Sequence, residues 1–371
     1  MKKIVCVDAT ALSMGNSVAL GGIGTYTRDL ASVLAHMVIP DISIRFLIYR
    51  NGEPKIATDT HLIDSAPEEW TPRQRISHRI LIKKVLHQET FSLYHSLHRS
   101  SAIVSAGQKE LLTIHDLFPD RYKENIISQF SFFLYRRAIG RAHHLLAVSE
   151  YVRDDLMASL GIDRPSISVV HHGIDPLLFH PVNDSGQIGD IRKKYDLPEK
   201  FFLFVGTPHE RKNLARLVRS FAALSPAIAE SLILLGPAEA HWPPETATCS
   251  RLRILSSVRR EDLAAIYSLS TGLGFPSLAE GFGYPVLEAM ACGTPVICSR
   301  TTALPEVGGD AVCYVDPLDE ENLKRALMRI STDRDYRRQL SEAGMQRART
   351  MTVQRMGSDT INVYRKVLGL I

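Results

Sequence analysis

Residues 275–299 read FPSLAEGFGYPVLEAMACGTPVICS, and the stretch passes through three kinds of segment. LGFPS, Leu273 to Ser277, is a short apolar run of strand length. PVLEAMAC, Pro285 to Cys292, has a helical pattern and opens with a proline, which suits the first turn of a helix. PVIC, Pro295 to Cys298, is a second short apolar run. Two apolar strands joined by a helix are the repeating unit of a parallel sheet covered on both faces.

The same alternation extends outwards in both directions. Upstream, strands are predicted at Lys3–Asp8, Ile42–Ile48, Leu111–Asp116, His144–Ser149 and Ile167–Val170. Helices are predicted between them at Gly24–Met37, Thr71–His87, Asn125–Gly140 and Glu150–Leu160. His171 to Asp190, HHGIDPLLFHPVNDSGQIGD, is rich in Gly, Pro, Asp and Asn without a sustained period and reads as an interdomain linker. The pattern then restarts, with strands at Phe201–Gly206, Ser231–Gly236 and Leu252–Leu255 and helices at Leu214–Leu224 and Arg260–Tyr267. From Asp319 onwards the chain is helical in pattern. The expectation is an α/β protein of two Rossmann-like doubly wound domains, residues 1–175 and 185–352, facing a central cleft. Ligands of such sheets bind at the carboxyl ends of the strands.

Composition narrows the function classes. The chain has 371 residues, with Lys+Arg 44 against Asp+Glu 40, and a net charge of +4 is too small to argue for a nucleic-acid partner. Its five cysteines form no C-x-x-C pair, which excludes a disulfide scaffold or zinc ribbon and fits a reducing compartment. The opening MKKIVCVDAT reads as a first strand rather than a signal peptide, because Asp8 interrupts the apolar run. No apolar stretch approaches the ~18 residues that span a bilayer. A soluble, cytoplasmic protein is expected.

Four segments can carry chemistry. GGIGTYT, Gly21 to Thr27, opens a helix, where glycine lets a ligand approach the backbone and helix N–H groups face an anion. A tight turn explains it equally, and the third glycine of a dinucleotide fingerprint is missing. His115 and Asp116 end a predicted strand and can orient a hydroxyl, although an isolated His-Asp pair is more often a turn or cap. Arg211 and Lys212 stand just before a helix, where one offers a bidentate fork and the other a point charge to a phosphate. Finally, Glu280 and Glu288 flank the loop Gly281, Phe282, Gly283, Tyr284, which leads into a helix start suited to an anion.

With these motifs in their order, together with VSEYVRDD, HHGIDPLLFHP and REDLAAIY, the sequence resembles the retaining glycosyltransferases of family 4 over nearly its whole length. The resemblance implies the two-domain GT-B fold, with a last helix, about 353–371, that crosses back to complete the first domain. It implies that Gly21 and Gly22 meet the donor pyrophosphate, that His115 contacts the transferred sugar, and that Arg211 and Lys212 hold the diphosphate leaving group. Glu280 is then expected to bind sugar hydroxyls, the Gly283-Tyr284 backbone the β-phosphate, Glu288 the ribose and Ser257–Val258 the base, with Gly281 and Phe282 also at the donor. Thr207 departs from the arginine that many members carry after the glycine ending the first strand of the second domain.

The wording HDLFPDRY and RKN is most reminiscent of mannosyltransferases of bacterial surface polysaccharides, so GDP-mannose is the leading donor and a UDP-hexose the second. No cofactor is expected, and no metal, since no DxD pair of aspartates stands in the candidate loops. The acceptor is expected to be a glycan or lipid-linked glycan. A nucleotide-sugar epimerase, a phosphorylase and a non-catalytic sugar-nucleotide-binding protein remain open alternatives. Residues 70–88, WTPRQRISHRILIKKVLHQ, carry five basic residues, no acid, and apolar positions at near-helical spacing. They suit either packing on the first domain or peripheral contact with the inner face of the cell membrane.

Overall fold

Strand β1 (Lys3–Asp8) carries Val5, Cys6 and Val7 with no exposure at all, so both its faces are covered, as a central parallel strand requires. It belongs to a computed structural model that describes residues 2–13, 21–49, 60–63, 72–88, 90–99, 102, 109–117, 135–224, 227–256 and 258–371. Two units divide the chain, Met1–Gly173 with Val353–Ile371, and Ile174–Thr352.

Among the described residues, the first unit has a seven-stranded sheet with every neighbour parallel. Its strands are β1, β2 (Ile42–Tyr49), β3 (Thr60–Ile63), β4 (Leu93–Ser96), β5 (Glu110–Ile114), β6 (His144–Ala147) and β7 (Ile167–Val169). They lie in the order β3-β2-β1-β4-β5-β6-β7, so the winding reverses between β1 and β4. Helices α1 (Gly22–His36), α2 (Pro72–Gln88) and α3 (Glu150–Leu160) connect strands. Ser149 caps α3 by accepting the Val152 N–H, and Gly161 closes it in the left-handed region. The helix expected over 125–140 lies mostly outside the described residues.

Among the described residues, the second unit has a six-stranded parallel sheet in the order β10-β9-β8-β11-β12-β13, whose winding reverses between β8 and β11. Its elements are α4 (Ser185–Tyr195), β8 (Phe201–Val205), α5 (Leu214–Leu224), β9 (Ser231–Leu235), β10 (Leu252–Leu255), α6 (Leu263–Leu269), β11 (Gly272–Phe275), α7 (Tyr284–Ala291), β12 (Val296–Ser299), α8 (Leu304–Gly308), β13 (Cys313–Val315), α9 (Glu320–Thr332) and α10 (Arg334–Ala348).

The last helix, α11 (Val353–Leu368), is part of the first unit. Tyr364 is fully buried and its hydroxyl meets His95 Nδ1 at 2.7 Å, while Arg365 donates to both Asp41 carboxylate oxygens at 2.8 and 2.9 Å. Gly357 allows the close approach of α11 to α1, since a Cβ there would stand 2.9 Å from Val33.

Several expectations need correction, strands β3 and β13 being unforeseen as well. The linker expected over 171–190 ends early, because Asp184 accepts the Gln187 N–H and caps α4 from Ser185. Strand β4, LYHS, was not expected, because His95 and Ser96 break its apolar run. Those polar groups are nonetheless buried, with His95 Nε2 meeting the Thr113 hydroxyl at 2.8 Å.

Candidate active site

In each unit the residues singled out from sequence stand at the carboxyl ends of the strands. The second unit's group lies where its winding reverses. After β8 the chain makes a short 3-10 turn, Glu210–Lys212, which His209 caps by accepting the Arg211 N–H. Asn213 follows in the left-handed region, with its amide donating to the Pro276 and Pro317 carbonyls at 3.1 and 2.7 Å. The Leu278 N–H donates to the Arg211 carbonyl at 2.7 Å, so the loops after β8 and β11 are tied by backbone.

That tie brings three charges together. Lys212 Nζ donates to Glu280 Oε1 at 2.6 Å, and Arg211 Nη1 donates to Glu280 Oε2 at 2.9 Å and to the Ala279 carbonyl at 3.0 Å. Glu280 is only 5% exposed. Burial pushes its carboxyl pKa up, but Lys212 and Arg211 outweigh that and hold it below the usual carboxylate value. The Lys212 ammonium also sits 4.7 Å over the Phe275 ring. The Glu280 N–H donates to the Thr302 hydroxyl at 2.9 Å, which fixes the backbone that carries the carboxylate.

The chain then enters α7 through Gly283, whose φ of 119° favours glycine and where a Cβ would come within 2.8 Å of Leu304. Gly281, Phe282 and Tyr284 are buried around this turn, and the Phe282 and Tyr284 rings meet edge to face at 5.7 Å. Glu288 lies inside α7, buried, and accepts the Tyr267 hydroxyl at 2.8 Å. Tyr267, from α6, was missed by sequence reasoning; its only signal was a tyrosine closing REDLAAIY. Val258 is half-buried before α6, and Ser257 lies outside the described residues.

In the first unit, His115 and Asp116 follow the end of β5. His115 Nε2 lies 2.9 Å from the Leu97 carbonyl. A carbonyl can only accept, so Nε2 carries the proton and Nδ1 the lone pair. Burial lowers the His115 pKa, favouring this neutral ring. Its ring meets Tyr26 at 5.0 Å and His172 at 5.4 Å, and those two rings are 4.6 Å apart. Tyr26 is fixed in turn by the Thr113 hydroxyl at 3.2 Å. Gly21 caps α1 and Gly22 opens it, so the glycine pair stands at a helix start. His172 and Tyr26 were not among the sequence candidates, although they lie in the quoted motifs HHGIDPLLFHP and GGIGTYT.

Helix α2 matches the basic stretch at 70–88. Ile82 and Leu86 are buried with Cys6, Leu47, Tyr49, Phe91 and Tyr94, so this part of the apolar face packs on the first unit. Ile80, Lys83 and Lys84 are exposed. No described helix is long and apolar enough to cross a membrane.

Two parallel α/β units, each with its candidate residues at strand carboxyl ends, define a two-domain doubly wound α/β protein, and the comparisons give its class. Residues 20–177 match the family model described as Glycosyltransferase Family 4, and residues 187–347 the model described as Glycosyl transferases group 1. The chain belongs to the family-4 type of glycosyltransferases, on the GT-B fold. It is similar to O-antigen chain mannosyltransferase B of Escherichia coli, with 26% identity over 86% of this chain and 83% of that one. It is also similar to the O-antigen chain mannosyltransferase RfbU of Salmonella typhimurium, 28% identical over 60% of this chain and 61% of that one. In fold it resembles the sucrose-phosphate synthase of Thermosynechococcus elongatus, with a TM-score of 0.80 at 21% identity over the whole of both chains.

Proposed function

We propose that the chain moves a hexose from a nucleotide sugar to a glycan or lipid-linked glycan, keeping the anomeric configuration, with mannose from GDP-mannose as the leading donor. The donor choice leans on the relatives named as mannosyltransferases. The observation that carries the transfer reaction is Glu280 buried between Arg211 and Lys212, at the point where the second sheet reverses its winding. As the bond to the sugar breaks, the diphosphate gathers negative charge while the anomeric carbon becomes oxocarbenium-like. Cations fixed beforehand stabilise that charge without reorganising. The start of α7 adds the positive end of its dipole through the Gly283 and Tyr284 backbone.

In this scheme Arg211 and Lys212 take the leaving group, and a divalent ion is not needed there. Glu280 positions both cations and accepts sugar hydroxyls. Glu288, oriented by Tyr267, binds the ribose, and Ser257 with Val258 flanks the base. His115 offers Nδ1 to a hydroxyl of the transferred sugar, and Gly21 with Gly22 approaches the pyrophosphate. A cytoplasmic enzyme working on a lipid-linked acceptor would meet the inner face of the membrane through α2, where Lys83, Lys84 and Ile80 are the exposed groups. With Ile82 and Leu86 held in the core, that contact rests mainly on charge.

A thermal-shift panel with GDP-mannose, UDP-glucose, UDP-GlcNAc and their nucleotides tests the donor. A ligand at 100 times its Kd adds about 2.7 kcal/mol, which a melt resolves. GDP and GDP-mannose are expected to stabilise most; a larger shift with the UDP series moves the assignment to a UDP-hexose. Nucleoside diphosphate released only when an acceptor is present supports transfer. An interconverted sugar with no diphosphate released overturns it in favour of an epimerase.

A further inference from the structure

The first sheet has its own reversal point, between β1 and β4, and a buried cluster fills it. Asp8 ends β1, His98 stands two residues beyond the end of β4, and His78 comes from the first half of α2. Their exposures are 0%, 2% and 1%. One carboxylate oxygen and one nitrogen from each imidazole all lie within 4.8 Å of one another. The His78 and His98 rings are nearly parallel, with centroids 6.4 Å apart.

Each ligand-type group is held from behind. Asp8 Oδ1 accepts the Thr10 N–H at 2.9 Å and the Thr10 hydroxyl at 2.5 Å, and Oδ2 accepts the Tyr94 hydroxyl at 2.7 Å. These donors are neutral, so they orient the carboxylate without cancelling its charge. His78 Nδ1 meets the Tyr49 hydroxyl at 2.6 Å, which fixes the ring and directs Nε2 towards Thr10, 3.4 Å away. One carboxylate and two imidazoles, backed by hydroxyl partners, are the donor set and outer shell of a zinc-type ion.

We propose that Asp8, His78 and His98 bind one divalent transition-metal ion of the zinc class inside the first unit, with Tyr49 and Tyr94 orienting the ligands. The ion clamps α2 to the carboxyl ends of β1 and β4. It uses none of the residues that the proposed function assigns to the diphosphate, and it stands whichever donor sugar is used.

The test uses the untagged full chain, exposed to zinc sulfate, desalted and measured by elemental analysis. Roughly one zinc per chain is expected, against less than about a tenth in His98→Gln and in His78→Gln. Cobalt(II) loading should give visible ligand-field absorption in the wild type that both variants lose. Tyr49→Phe preserves shape, so it keeps the test decisive if the ligand variants misfold. Its zinc affinity, measured by competition with a chelating dye, should fall roughly 10- to 100-fold. Zinc uptake by the wild type no greater than by the folded His78→Gln/His98→Gln double variant overturns the proposal. So does an unchanged affinity in Tyr49→Phe.

Discussion

Replacing Lys212 by alanine removes a cation that lies 2.6 Å from Glu280 and packs over Phe275. For folding, the loss is one charge-assisted hydrogen bond, about 1.5–3 kcal/mol. Glu280 keeps its bond from Arg211 at 2.9 Å, so the carboxylate is not left as a lone buried charge, and the variant should fold. For the reaction the loss is larger. Removing one preorganised group aimed at charge that develops in the transition state costs about 2.7–4 kcal/mol, roughly 100- to 1,000-fold in rate. Because the diphosphate charge grows as the bond breaks, the effect should fall on kcat more than on KM. The assay is acceptor-dependent release of nucleoside diphosphate at varied donor concentration, with circular dichroism and a thermal melt to confirm folding. Glu280→Ala should lose at least ~100-fold as well, since it frees both cations from their fixed positions. A folded Lys212→Ala with turnover within a few fold of wild type refutes the leaving-group role.

Glu288→Ala should raise the donor KM with little change in kcat, because the ribose is remote from the bond being broken; Tyr267→Phe should do the same more mildly, and an effect of either on kcat alone removes the ribose role. A brief exposure to EDTA should leave transfer intact and magnesium or manganese should not raise it; activity restored only by one of those ions contradicts the cation-based leaving-group site. Weak, salt-sensitive sedimentation with anionic liposomes is expected, each basic group adding on the order of 1 kcal/mol. The triple change Arg79→Glu, Lys83→Glu, Lys84→Glu should abolish it, and equal sedimentation of both proteins at low salt rules out the membrane contact. Burial holds His95 down to about 3 against an ordinary 6.5, so the unfolded chain binds its proton first and stability falls as pH drops below 6.5. At pH 5 that amounts to about 2 kcal/mol, and His95→Gln should flatten the pH dependence of chemical denaturation by this much; an unchanged slope refutes it.

Much of the fold is written locally. Apolar strands such as FFLFV and SLILL are covered on both faces, so a continuous run of large hydrophobic residues announces them without any partner in view. The turn into α7 is equally local, because Gly283 and Pro285 are backbone requirements of that one junction. Arg211, Lys212, Glu280 and Glu288 were therefore visible as candidates at strand-to-helix junctions. Their mutual arrangement was not. Glu280 meets Lys212 and Arg211 because bonds such as that from Leu278 to Arg211 bring two loops together across 67 residues. Strand β4 was hidden for the same reason: LYHS looks polar until Thr113 and Tyr364 satisfy His95 from distant segments. Asp8, His78 and His98 form no motif, and only the reversal of winding between β1 and β4 places them together. Sequence determines what lies within one element or its ends, where backbone geometry and burial act over a few residues. Partnerships between side chains far apart in the chain are decided by the order of the strands, and the chemistry of the site depends on those partnerships.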